Sequence, residues 1–197
     1  MRKRLHSFIV FLTVSLVSNS LVLPAEQALL VKMNKEYDQR TVIKKSRIPG
    51  AGNGLFAVVK IKKEEVIGEL GGRLIAENDP SRGNHYIASI AECAWQETHP
   101  YKYLDSKDYG ANVSRINFAP SKINDKDTNF QNAAIKQLCQ RPYFIFVALK
   151  DIEPGTEIWS SYGPHYDYDK FMKIAQVRDF FCGLLKMNCR EKYTYAH

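Results

Sequence analysis

The chain has 197 residues, of which 45% are hydrophobic and 12% aromatic, which suits one domain with a buried core and argues against general disorder. Its formal charge is +7, and three of the basic residues are Arg2, Lys3 and Arg4 at the start. Elsewhere Lys and Arg alternate with acids, as in KIKKEE at 60–65, so no basic face is concentrated enough to suggest direct nucleic-acid binding.

Residues 1–25 read as a secretory signal. Arg2-Lys3-Arg4 precede an apolar run from Phe8 to Val17, and no acid occurs before Glu26. Ala25 or Ala28 can end such a segment, although Leu23 or Glu26 then stands where a small residue is preferred. Phe8–Leu23 also approaches the length of an uncleaved membrane anchor. Cleavage implies export without stable membrane association. Retention implies an anchor, and an ordinary N-terminal helix would leave the chain in the cytoplasm or nucleus.

A polar, basic stretch over 26–40 reads as a linker, and TVIKKS at 41–46 as a first short strand. IPGAGNG at 48–54 is a turn, because three glycines and a proline disfavour regular structure. LFAVV at 55–59, VIGELGGRLI at 66–75, HYIASIA at 85–91, YKYLD at 101–105 and YFIFVALKDI at 143–152 have strand character. ENDPSRGN at 77–84 is a loop, and EPGTEI carries a turn and a short strand. Helical spacing is confined to Asp167–Leu185, where Phe171, Ile174, Ala175, Phe180, Phe181 and Leu184 recur. The predicted fold class is therefore mostly β with short helices (α+β), with a domain over 41–165 and a helical segment over 166–197.

Cys93, Cys139, Cys182 and Cys189 contain no C-x-x-C pair, and no metal site is predicted. Export would permit disulfides, with Cys182 and Cys189 nearest in sequence, while four free buried thiols remain the other reading.

Three segments in order carry a family resemblance. They are GAGNGLFAVVKIKKEEVIGELGGRLI at 50–75, YLDSKDYGANVSRINFA at 103–119 with TNF at 128–130, and ALKDIEPGTEIWSSYG at 148–163. Together they resemble the signatures of the SET domain of protein lysine methyltransferases, nearest in pattern to its PR subgroup, over roughly residues 41–165. The resemblance implies several small sheets, a pseudoknot-like crossing and a C-terminal helix. It also implies S-adenosylmethionine as cofactor. The glycine turn carries over as Gly52, Asn53, Gly54 and Phe56 on the cofactor side, RGN as Gly83 and Asn84, and RIN as Asn117. Asn129 matches a later Asn of the signature. Tyr162 matches the tyrosine that closes the active site, and Tyr166 is the following aromatic placed at the cofactor.

The implied reaction transfers a methyl group to a lysine amine of a protein substrate, a histone or another basic protein. Free lysine has a pKa near about 10.4, so a narrow apolar channel is needed to favour the neutral amine. Tyr86, Tyr103 and Asn132 are the channel candidates, with Tyr101 a further tyrosine that could compensate. Relatives often carry tyrosines where this chain has Leu70, Asn132 and Ser160, and His where it has Phe118. Those departures leave a second reading open, a non-catalytic SET module that binds a peptide or partner. An unrelated exported β-fold is a third.

Overall fold

The computed structural model describes residues 29–90, 93, 99–163, 166–189 and 193–197. The predicted signal segment lies outside them.

Among the described residues, fourteen short strands form four small sheets. One sheet has the order β1-β5-β7-β6, from β1 (Leu30–Val31), β5 (Gly72–Ala76), β7 (Tyr101–Asp105) and β6 (Ile87–Ser89). A second stacks β11 (Ala133–Gln137), β12 (Phe144–Ala148) and β4 (Val66–Glu69). A third joins β10 (Lys126–Asp127), β9 (Lys122–Ile123) and β14 (Tyr195–Ala196). The fourth has the order β2-β3-β13-β8, from β2 (Thr41–Lys45), β3 (Asn53–Ala57), β13 (Glu157–Ser160) and β8 (Asn117–Phe118).

The fourth sheet contains the crossing. β13 is antiparallel to β3 on one edge, with Ile158 opposite Leu55, and parallel to β8 on the other, with Trp159 opposite Asn117. Ala119 donates its N–H to the Ser160 carbonyl at 3.2 Å, and Asn132 to the Trp159 carbonyl at 3.0 Å. The two ends of the 119–132 loop thus grip successive carbonyls of the same strand. β13 is held on both edges and all four of its residues are buried.

Several sequence expectations change. VIGELGGRLI is two strands, β4 and β5, which leave for different sheets; Leu70 between them is buried in the core. The stretch read as a linker belongs to the domain from β1 onward, because Leu30 and Val31 pair with Arg73 and Gly72 and Val31 is buried. The single predicted helix is two, α1 (Asp169–Met172) and α2 (Ala175–Leu184), because Ile174 between them is extended at ψ 123°. The segment after them adds β14 to the third sheet.

Two apolar clusters hold these pieces. Leu55, Ile61, Ile67, Leu74, Leu104 and Ile158 anchor the first. Phe118, Ile123 and Trp159 meet Met172, Val177 and Phe181 in the second, so the C-terminal helices dock directly on β8 and β13. Burying each such large side chain stabilises the fold by about 1.5–3 kcal/mol. Disulfides Cys93–Cys139 and Cys182–Cys189 pair all four cysteines. Among the described residues no helix is long and apolar enough to cross a membrane.

Candidate functional site

The fourth sheet brings Gly52–Gly54, Asn117 and Tyr162 to one place. Gly52 has φ +71°, a conformation that favours glycine, and the space a side chain would take there is open. Asn53 follows at the start of β3, and its carbonyl accepts the Asn117 side-chain amide at 2.9 Å. The glycine turn and the RIN segment, 64 residues apart, are thereby tied directly together. Phe56 is buried in β3, opposite Glu157.

Glu157 was not singled out from the sequence, yet it braces this junction. It is 1% exposed. One carboxylate oxygen accepts the Ser46 hydroxyl at 2.6 Å and the Asn117 amide at 3.4 Å; the other accepts the Arg47 N–H at 2.8 Å. A Cβ on Gly54 would collide with that carboxylate, so glycine is required by close approach. The available sequence signal was an acid inside the otherwise apolar strand EIWS, because buried acids are rare unless partnered.

Tyr162 leaves β13 after Ser160 and Ser161. Its flank remains 38% exposed, which leaves it reachable by a ligand. Its hydroxyl points inward and donates to the Ile116 carbonyl at 2.7 Å, beside Asn117. Burial of that hydroxyl pushes its pKa well above the usual phenol value; Tyr166, Tyr86 and Tyr168 add to the effect and the Phe118 backbone N–H partly offsets it. A neutral phenol is therefore kept at the site.

Aromatic rings surround it. Tyr166 meets Tyr162 edge-on at 4.8 Å and lies parallel to Phe171 at 6.1 Å. His85 approaches Phe171 at 6.4 Å. Tyr86, the next residue, lies under the Arg115 guanidinium at 4.5 Å. The segment 85–86 thus reaches the site through His85 and Tyr86.

Other candidates lie elsewhere or serve the scaffold. Asn84 donates to Asp105 at 3.1 Å and accepts the Tyr86 N–H at 2.7 Å, so its side chain is spent on shaping the turn before Tyr86. Gly83 and Asn84 line a recess of about 620 Å³ with Arg73, Asp105, Lys107 and Tyr109, which contains neither Asn117 nor Tyr162. Tyr103 donates to Glu77 at 2.7 Å and is covered by Arg82 at 4.6 Å, which places it in a charged cluster rather than a channel. Asn132 is 4% exposed; its amide donates to the Glu157 carbonyl at 2.9 Å and accepts the Trp159 N–H at 2.8 Å. Both ends of that amide clasp β13, so Asn132 is not a channel wall.

The residues present suit S-adenosylmethionine. Open space over Gly52 admits a ligand against backbone, and Tyr166 with Phe171 offers an aromatic surface for an adenine. The Asn117 side-chain amide is fixed by Asn53, which orients its carbonyl as an acceptor for an ammonium group. Among the described residues no three metal-ligating side chains converge.

The SET domain family model matches residues 52–163. Among solved structures, the chain is similar to the Chaetomium thermophilum polycomb repressive complex 2, with 26% identity and a TM-score of 0.50 over 64% of this chain and 15% of that chain. It is similar to the same complex in an autoinhibited conformation bound to S-adenosylmethionine, with 25% identity and a TM-score of 0.47 over 71% of this chain and 17% of that chain. The methyltransferase domain of human PR domain-containing protein 2 has 16% identity and a TM-score of 0.48, over 84% of this chain and 98% of that chain. The chain therefore spans about 15% of the length of the first of these. No curated protein matches it in sequence.

Proposed function

The chain belongs to the SET domain family, and on that footing we propose that it transfers a methyl group from S-adenosylmethionine to a lysine amine of a protein substrate. The observation that carries the reading is the convergence of the Gly52 turn, Asn117 and Tyr162 on one four-stranded sheet, locked by the Asn117–Asn53 bond. When bound, S-adenosylmethionine supplies an electrophilic methyl on a sulfonium whose sulfur departs as a neutral thioether.

The protein's own residues supply alignment and environment. Gly52 and Asn53 offer backbone, Asn117 an oriented carbonyl, and Tyr166 with Phe171 an aromatic face. Tyr162, neutral and held by the Ile116 carbonyl and the Phe118 N–H, presents its remaining oxygen lone pair to the reacting centre. Tyr86, Tyr162 and Tyr166 crowd water from the approach, and a second positive charge is repelled by the sulfonium; together these disfavour a charged amine and favour the nucleophilic form. Fixing amine and methyl in line is the main contribution such a site can make.

A recess of about 510 Å³ lined by Tyr166, Asp167, Asp169, Tyr193 and Tyr195 adjoins these rings; its carboxylates are paired with Lys170 and Lys173, so a protein with an accessible lysine, histones included, is proposed as substrate on the family footing alone. The test is incubation of the full chain with labelled S-adenosylmethionine and histone or extract protein. Label on lysine, sharply reduced in Tyr162→Phe, is the expected result; no transfer beside a working control enzyme refutes it.

A second reading, a non-catalytic peptide-binding module, is favoured by the absence of a phenol at Leu70, Asn132 and Ser160, all buried and committed to the scaffold. Calorimetry separates the two, because micromolar binding of S-adenosylmethionine would be idle in a pure scaffold. The two disulfides support export into an oxidising compartment, in line with the signal read at residues 1–25. A reporter fused behind residues 1–40 and retained in the cytosol would rule that out.

A further inference from the structure

Tyr168 lies six residues beyond Tyr162 and is 3% exposed. Its phenol oxygen sits inside the turn formed by Ser161, Tyr162 and Gly163. It donates to the Gly163 carbonyl at 2.7 Å and accepts the Tyr162 N–H at 3.0 Å. Ser161 Oγ lies 3.2 Å away. A phenol has one proton to give, and Gly163 takes it, so the Ser161 hydroxyl is the donor in that contact. Ser161 Oγ in turn accepts the Gly163 N–H at 3.1 Å. Three polar groups of the turn that carries Tyr162, the Ser161 hydroxyl, the Tyr162 N–H and the Gly163 carbonyl, thus meet at one oxygen.

The ring is held as firmly as the hydroxyl. It packs on Phe118 at 4.2 Å and is stacked by His197 at 4.2 Å and 24°. Phe118 directly follows Asn117 in β8, which pairs with β13. His197 follows β14, which is fastened to β9. Tyr168 therefore connects the cofactor side of the site, the Tyr162 turn and the last strand.

We propose that Tyr168 is a positioning residue for Tyr162: its hydroxyl closes the Ser161–Gly163 turn and so sets the direction from which the Tyr162 hydroxyl reaches the Ile116 carbonyl and the transferring methyl. The proposal rests on the methyltransferase reading. Burial keeps the Tyr168 phenol protonated, as its donation to Gly163 requires.

Tyr168→Phe keeps the ring and removes the oxygen. Its first readout needs no activity. The Tyr162 amide loses its acceptor, so its hydrogen exchange accelerates at least about tenfold, as for loss of a hydrogen bond of about 1.4 kcal/mol, while the Ile158 and Trp159 amides of β13 are unchanged. The second readout is kinetic. A misplacement of the order of an ångström lowers kcat by about 10- to 100-fold, with KM for S-adenosylmethionine within about twofold. The third is a cycle with Tyr162→Phe: the double variant is no slower than Tyr162→Phe alone, because Tyr168 acts only through Tyr162. Unchanged exchange at Tyr162, a wild-type kcat, or losses that multiply in the double variant would each overturn the proposal. If the wild-type protein transfers no methyl, the methyltransferase reading fails by itself, and the exchange rate still decides whether Tyr168 holds the turn.

Discussion

Replacing Glu157 with Gln tests the junction between the glycine turn and Asn117. The native carboxylate receives three donors, from Ser46, Arg47 and Asn117. Gln retains one oxygen. The Arg47 N–H is fixed by the backbone, so the oxygen stays on it, and the new amide faces Ser46 and Asn117. The Ser46 hydroxyl can rotate and accept. The Asn117 amide cannot, and two donors are left pointing at one another. Charged hydrogen bonds contribute about 1.5–3 kcal/mol each and neutral ones about 0.5–1.5, so weakening the two short bonds costs about 2 kcal/mol. For a domain of this size that corresponds to a Tm lower by about 4–8 °C. Glu157→Ala strands all the donors in a site 1% exposed, costs about 3–6 kcal/mol, and approaches the whole stability of an ordinary domain. Thermal unfolding followed by circular dichroism gives the Tm, and calorimetry with S-adenosylmethionine reports whether Asn117 has lost its orientation. A Glu157→Gln variant with wild-type Tm and wild-type cofactor affinity would refute the assignment of Glu157 as the brace.

The disulfides differ in the chain they close. Cys93–Cys139 spans 46 residues and Cys182–Cys189 spans 7, so paired Ser substitutions are expected to cost about 4 and about 2.5 kcal/mol respectively; urea unfolding giving the reverse order would contradict the loop-closure argument. On the acid side, the Ser81 hydroxyl and N–H, with Arg73 beside them, hold the Asp79 carboxyl below the usual carboxylate range. Its contribution is present above the unfolded value of about 3.9 and is lost as pH falls through the depressed folded value, so Asp79→Asn should flatten the fall of Tm below about pH 4. On the alkaline side, burial raises Tyr162, so the unfolded phenol ionises first and stability declines once pH passes about 10. Tyr162→Phe should make that decline shallower, and an unchanged slope would show the hydroxyl to be solvated.

What the sequence disclosed was local chemistry. The Gly52 turn is legible because its backbone conformation selects glycine, and Asn117 and Tyr162 because each sits in a short segment whose spelling is distinctive. Strands such as β8, β9 and β14 are two residues long, too short for any alternation to show. β13 escapes the alternating rule for another reason. Its four residues are all buried, so Glu157 shares an apolar run with Ile158 and Trp159 and reads as a misplaced surface acid. Ser46, 111 residues away, Arg47 and Asn117 reveal why an acid belongs there.

Tyr103 and Asn132 fail in the opposite way. As residue types they suit a channel, and what excludes them is a partner that no spacing could announce: Glu77 with Arg82 for Tyr103, the backbone of β13 for Asn132. The consequence concerns the surroundings of Tyr162. With Leu70 in the core, Asn132 clasping β13 and Ser160 fully buried, the phenols that surround the Tyr162 hydroxyl are those of Tyr166, Tyr86 and Tyr168. Tyr162 is held by Ile116 on one side and by the turn closed through Tyr168 on the other. A site with few phenols depends more heavily on how each is held, so in the proposed reaction the residues that fix Tyr162 would carry more of the alignment than they would in a channel lined with tyrosines.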